Sequence, residues 1–362
     1  MTSHVDQVKA LLTEAARMPV SLGRYELLDE AVRIADLHND VELGVEARMP
    51  LLWVAGSLLR GDAMAVAFTW CLHQYDRRPE LFGGRNLFEE YRMLIGRLAN
   101  FDTVSRAQLE EMLDDLAARL AREGMSPALV WEARLAIAPD VGDREFGEAG
   151  AREYRRHRME GRLPTNVWFN HALFMGDEDG AMRIAEKEWL ADRHRVSFDS
   201  HWYDVLTLLL KRDRMAEFRQ WLKRATGQIH VRDTYYWPYG TVVRALALCG
   251  KIDEAVKLCG HCQRAIREYT DPLTRLHFHL DMGVLFERLH SLGKESVLVR
   301  FAEGPPGLLP SGRYVVAEVR EWMAREAREL TERFDRRNGN GYFAELTRAR
   351  ADLQRYALPE EE

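Results

Sequence analysis

Apolar residues fall at helical spacing along nearly all of this chain. Val243, Leu246 and Ala247 form one stripe, Gly250-Lys251 interrupts it, and Ala255, Val256 and Cys259 open a second stripe within Asp253 to Arg267. Recurrence every three to four residues predicts amphipathic helices, and the glycine between the stripes predicts a tight turn. The same unit recurs about eight times. Its turns are expected near Gly23, Gly61-Asp62, Asn100, Gly142-Asp143, Gly176-Asp177, Arg212-Asp213, Gly250-Lys251 and Gly293-Lys294, at spacings of 34 to 43 residues. That period is the mark of stacked helix pairs. An aspartate just after the turn suits it, because its carboxylate accepts hydrogen bonds from the free N–H groups that open the next helix. Sustained period-two alternation is missing, so no sheet is expected.

The period breaks after Phe301. Ala302 to Arg313 is rich in proline and glycine and reads as a linker. A long charged amphipathic helix is expected over Arg313 to Arg336, a break at Asn338 to Gly341, and another helix over Tyr342 to Tyr356. The predicted organisation is a helical array over residues 1–303, a linker over 304–312, capping helices over 313–358 and an acidic tail over 359–362. Polar terminal helices are the usual cover for the apolar end of such an array.

The turns GDAMAV at Gly61, GDREFG at Gly142, GDEDGA at Gly176 and GKIDEA at Gly250 share a small or apolar residue five positions after the glycine, and Trp70 and Trp221 stand nine after their turns. In these residues the chain resembles the tetratricopeptide-repeat superfamily over roughly residues 4–303. The resemblance implies an all-α fold: a right-handed α-solenoid of about eight helix hairpins with a C-terminal helical cap. It also implies an inner groove that holds a peptide or a partner's helix.

The 362 residues are 46% apolar and 30% charged, as in a folded helical protein. The net charge of −6 argues against a protein devoted to nucleic acid. The start, MTSHVDQVKALLTEAARM, lacks the apolar core of a signal peptide, and no apolar run approaches a membrane span. Four cysteines, Cys71, Cys249, Cys259 and Cys262, make no disulfide framework, so a reduced cytoplasm is the expected setting. Cys259-Gly-His-Cys262 has the spacing of a redox or zinc site, and His277 or His279 stands at a finger-like distance. Both cysteines fall on packing positions, and the two histidines lie about 200° apart on a helix, so core packing is the expected role. Nucleophile elbows, phosphate loops and HExxH are missing, and Glu110-Glu111 with Asp114-Asp115 read as a solvated face. No cofactor, no metal and no enzymatic activity are expected.

In a tetratricopeptide-like stack, the residues ten and six before each turn point into the groove. This implies Asn166 and Asn170 before Gly176, Trp202 with neighbouring Tyr203, then Leu206, before Arg212, and Arg244 with Trp237 before Gly250. Asparagine pairs with a peptide amide, tryptophan supplies rigid apolar area, and arginine forks onto a carboxylate. The competing reading packs the aromatics between helices and leaves the asparagines solvated. The aromatic run Tyr235 to Tyr239 around Pro238 is a second candidate surface. Arg152, Arg155, Arg156, His157, Arg158 and Arg162 form a basic patch, which Arg193, Arg195, Lys211, Arg212 and Arg214 extend into a stripe for an acidic partner or a nucleic-acid backbone. The expected function is a non-enzymatic scaffold for another protein or peptide. Alternatives are a peptide-sensing regulator and an accessory subunit of an enzyme complex that docks through the arginines.

Overall fold

The computed structural model describes residues 3–84, 86–157, 165–190, 202–231, 238–266, 271–299 and 312–360. Among them the protein is all-α, with seventeen α-helices and one two-stranded ribbon. Internal contacts divide the chain into two compact units, Met1–Ile137 and Ala138–Glu362. That division falls inside the stretch expected to be a single array.

The first unit holds α1 (His4–Arg17), α2 (Leu22–Leu37), α3 (Val41–Ser57), α4 (Gly61–Arg77), α5 (Leu87–Leu98) and α6 (Arg106–Arg122). Each packs on the next, and α3 also touches α1 and α5. Ser3, Ser21, Asp40, Asn86 and Ser105 cap five of these helices, each side-chain oxygen accepting from the backbone N–H three residues on. Helix α7 (Ala128–Val141) runs across the boundary.

The second unit continues with α8 (Arg144–Arg156), α9 (Thr165–Phe174), α10 (Glu178–Ala185), α11 (Val205–Lys211), α12 (Met215–Val231), α13 (Pro238–Leu248), α14 (Ile252–Ile266) and α15 (Pro272–Ser291). The ribbon strands β1 (Ser296–Leu298) and β2 (Arg313–Val315) then lead into α16 (Val316–Asn338) and α17 (Tyr342–Ala351), which ends in a 3-10 turn, Asp352–Tyr356. The core runs through Phe169, Leu206, Phe218, Val243, Leu246, Cys259, Phe286 and Met323.

One turn geometry recurs. Gly142, Gly176, Asp213, Gly250 and Gly293 are left-handed, and the next N–H bonds back five residues: Asp143 to the Ala138 carbonyl at 3.2 Å, Asp177 to Ala172 at 2.9 Å, and Arg214 to Leu209, Lys251 to Leu246 and Lys294 to Leu289 at 3.0 Å each. The bond closes one helix and sets the following residue to start the next. Gly147, Ala181 and Ala255, five after their turns, are buried; a Cβ on Gly147 would stand 2.7 Å from that of Ala138.

Three expected turns are displaced. Gly23 lies inside α2 and Gly61 inside α4; the left-handed residue before α4 is Leu59, with φ 59°. Val66 is accordingly 77% exposed, whereas Met64, five after Leu59, is fully buried. At the Arg212-Asp213 turn the left-handed residue is Asp213, one later than expected, which rotates every position counted from it by about 100°.

The ribbon is a strand pair that the residue pattern did not announce. It pairs Ser296 with Val315, Val297 with Tyr314 and Leu298 with Arg313, and it buries Val297 and Tyr314. Residues 300–311, most of the expected linker, lie outside the described residues. Helix α16 lies antiparallel along α15, with His279 against Met323 and Arg320 beside Glu287. The α16–α17 turn closes on the start of the unit. Arg337 and Asn338 donate to the Asp140 carbonyl at 2.5 and 3.1 Å, and Asn340 donates to that of Val141 at 2.9 Å. The last carbonyls of α7 have no partner within the helix, and each such bond contributes about 1 kcal/mol net. Tyr342 packs edge-on against Phe174, 5.4 Å between centroids, and sits directly on Gly142.

Candidate functional site

Three helices of the second unit, two of them, α11 and α13, largely apolar, carry a polar residue at the same interval. Thr207 in α11, Arg244 in α13 and Asp281 in α15 stand 37 residues apart and touch in sequence order. Arg244 donates to Thr207 Oγ1 at 3.0 Å and to Asp281 Oδ1 through its other nitrogen. Asp204, just before α11, stands 3.6 Å from Arg244, and Arg350 of α17 approaches Asp281 Oδ1 at 3.3 Å. Arg244 is 1% exposed and Asp281 3%. Two charges so deep persist because each meets an opposite charge and further hydrogen bonds. Gly240 makes room, since a Cβ there would stand 2.8 Å from Asp281 Oδ2.

Burial pushes the Asp281 carboxyl up to about 6, against the pull of Arg244 and of a hydrogen bond from Thr241. Desolvation pulls His277, one turn earlier on α15, down to about 4, with Asp204 opposing. At neutral pH the imidazole is therefore uncharged. Arg244 and Arg350 then balance Asp281 and Asp204. His279 faces the other way, buried with Nδ1 3.2 Å from Met323 Sδ, and burial pulls it to about 3.

Several expected groove residues lie elsewhere. Arg244 does not await a partner's carboxylate; it is buried and bound to the chain's own Asp281. Tyr203 is 1% exposed and belongs to the core, and Leu206 is fully buried. The one-residue displacement at Asp213 accounts for Leu206, because the position six before it becomes Thr207, which is half-buried; the position ten before it is Tyr203, which packs in the core all the same. Asn166 and Asn170 are half-buried on α9, and Asn170 precedes Thr207 by the same interval of 37 residues that separates Thr207 from Arg244. The Trp202 side chain, all of Trp237, Tyr235 and Tyr236, and Arg158, Arg162, Arg193 and Arg195 lie outside the described residues. Tyr239 packs partly on the core.

The basic residues form no open stripe among the described residues. Arg152 is exposed, while Arg155 pairs with Glu148 at 2.7 Å and stacks over Trp168, and Arg156 approaches Glu153 at 3.8 Å. Lys211 pairs with Glu178 and Arg212 with Asp179, each at 2.5 Å, and Arg214 pairs with Glu186 and Glu217. The acids of α10 and the turn after it thus meet the basic turn between α11 and α12. On α9, His171 is buried with Nε2 3.3 Å from Glu148, and burial holds its imidazole below the usual range.

Cys71, Cys249 and Cys259 are buried and form no disulfide with one another, and burial pushes Cys71 up to about 12. The Cys262 side chain lies outside the described residues. No group of three or more histidine, cysteine or acidic residues placed to hold a metal occurs among the described residues, and no helix among them is long and apolar enough to cross a membrane.

The Asp281 cluster escaped the sequence reading, which treated each turn separately. The available signal was a threonine, an arginine and an aspartate at one fixed interval, the first two in largely apolar helices. No protein-family model matches the chain, and no curated protein matches it.

Proposed function

We propose that this protein is a non-enzymatic binding scaffold, a tetratricopeptide-like right-handed solenoid of about eight helix hairpins working in the cytoplasm. It grips a peptide or helix of another protein along the inner face of its second unit. The observation that carries this reading is the polar file at one helical position, Asn170, Thr207, Arg244 and Asp281. Its first two members are half-buried and its last two are sealed. A file of this kind inside apolar helices offers hydrogen bonds along a line, and backbone amides of a bound segment need such partners. Asn166 and Asn170 on α9 are the accessible end and the residues that hold the partner.

The local pairing of Lys211, Arg212 and Arg214 weighs against docking of a polyanion through an arginine stripe. The test is a peptide selected by display against the whole chain. The N166A/N170A variant is expected to bind it at least tenfold more weakly with unchanged helicity. Undiminished binding would overturn the assignment of the groove to this face.

A further inference from the structure

We infer that residues 344–358 are a built-in occupant of the groove, exchanged for a partner helix that presents an arginine to Asp281 in place of Arg350. The inference rests on the scaffold reading and names both the partner's chemistry and the regulation of the site.

Arg244, Asp281 and Asp204 together carry one excess negative charge, His277 being neutral, and Arg350 cancels it from a different segment. A guanidinium arriving from elsewhere meets the same unfilled requirement.

A small set of hydrogen bonds attaches the segment. Gln354 donates to the Val284 carbonyl at 2.7 Å, and the Leu358 N–H donates to the Leu248 carbonyl at 2.8 Å. Leu248 ends α13, so its carbonyl has no helical partner and takes any N–H laid across it. Arg288 donates to the Leu358 carbonyl, and Lys294 meets Glu360 at 3.1 Å. These bonds go largely to main-chain groups, as in a bound peptide.

Burial separates residues 344–358 from α16. In this fully described stretch Leu353 alone is buried, whereas α16 buries Val316, Val319, Met323, Ala327, Leu330 and Phe334. Helix α16 is core, and the chain beyond Phe343 adds mostly partly buried side chains, Leu346, Tyr356, Ala357 and Leu358, against it. Leu346 packs beside Leu276 and Phe334, Arg350 reaches Asp281, and in the 3-10 turn that follows Leu353 enters the core and Gln354 bonds to Val284, so one side of the segment faces α15 and its neighbours. The turn before it stays anchored by Asn340 and Tyr342, so release needs movement only beyond a fixed point. The partner chemistry is therefore a helix with leucine, then arginine four later, then leucine three beyond.

The test uses the full chain and a labelled peptide copying Ala344–Leu358. In the wild type the tethered copy competes at high effective concentration, so uptake is weak. R350Q is expected to speed amide exchange over residues 344–358 at least tenfold while α13 and α15 keep their protection. R350E is expected to bind the peptide at least tenfold more tightly than the wild type does, and to refuse a peptide carrying Arg350→Glu. Unchanged exchange in R350Q, or exchange rising equally in α13 and α15, overturns the proposal. So does equal uptake of the arginine and glutamate peptides. An unmoved segment combined with lost binding in N166A/N170A overturns this inference and leaves the groove reading intact. A released segment with normal binding in N166A/N170A supports the exchange and removes the asparagines.

Discussion

Replacing Arg244 by methionine tests whether the buried cluster is a coupled unit. The substitution keeps an unbranched side chain and removes the bonds to Asp281 and Thr207 and the ion pair with Asp204. Asp281, 3% exposed, keeps Arg350 at 3.3 Å. Removing one partner of a buried pair costs about 3–5 kcal/mol, and the surviving arginine sets the expectation at the lower end, about 3 kcal/mol. With a urea slope of about 2–3 kcal/mol/M, the midpoint falls by about 1–1.5 M. Urea titration followed by hydrogen exchange at α13 and α15 reads this locally. The double variant R244M/D281L carries neither charge and is expected to recover at least about 2 kcal/mol relative to the sum of the two single losses. R244M also removes the downward pull on Asp281. The carboxyl then takes up its proton above pH 6 in the folded state and near the ordinary carboxylate range in the unfolded one. The folded state therefore binds more protons in that window, and R244M regains stability on acidification from pH 7 to 5 more steeply than the wild type. A midpoint within about 0.3 M of the wild type would refute the coupling, as would a double variant whose loss equals that sum.

Two single positions carry further outcomes. Gly142 has φ +64°, and a Cβ there would stand 2.5 Å from that of Tyr342; at Gly176, φ +78°, it would meet nothing. G176A is therefore expected to cost about 1 kcal/mol from the backbone alone, and G142A roughly 2–4 kcal/mol once overpacking is added; equal losses in thermal melts would remove the Tyr342 contact as a constraint. Glu90 on α5 is half-buried, its Oε2 lacks a hydrogen bond, and burial, helped by Glu89, pushes the carboxyl up from 4.5 to about 7. The folded state binds the extra proton between those values, so stability falls as pH rises from about 4.5 to 7 and the deficit persists above. E90Q is expected to abolish that slope and to be about 2 kcal/mol more stable than the wild type at pH 8, as measured by denaturant titration across pH.

Local chemistry made much of this architecture legible. Gly142, Gly176, Gly250 and Gly293 announced their turns, because a left-handed residue at a helix end strongly favours glycine. Asn39 and Leu59 adopt the same conformation without that mark, and leucine is a poor candidate for it, so α4 starts two residues before its expected frame. Asp213 displaced the count by one, which moved the position six before the turn from Leu206, in the core, to Thr207; Tyr203, ten before Asp213, is in the core in spite of that count. Arg244 was expected to face a partner's carboxylate, but the groups it meets are Asp281, Thr207 and Asp204 of the chain itself. No local pattern encodes Asp281 meeting Arg350, or Asn340 meeting Val141, since such contacts exist only after the chain has folded back.

The seam between Gly142 and the α16–α17 turn has a consequence for biosynthesis. Asn338 reaches the carbonyl of a residue 198 positions earlier. At about 5–20 residues per second, roughly ten seconds or more separate the emergence of the two sides. Throughout that delay the exposed end of α7 and the ring of Phe174 stand ready for any matching turn. On a crowded polysome the nearest one belongs to another nascent copy, and seating it there would yield a swapped dimer built from native contacts.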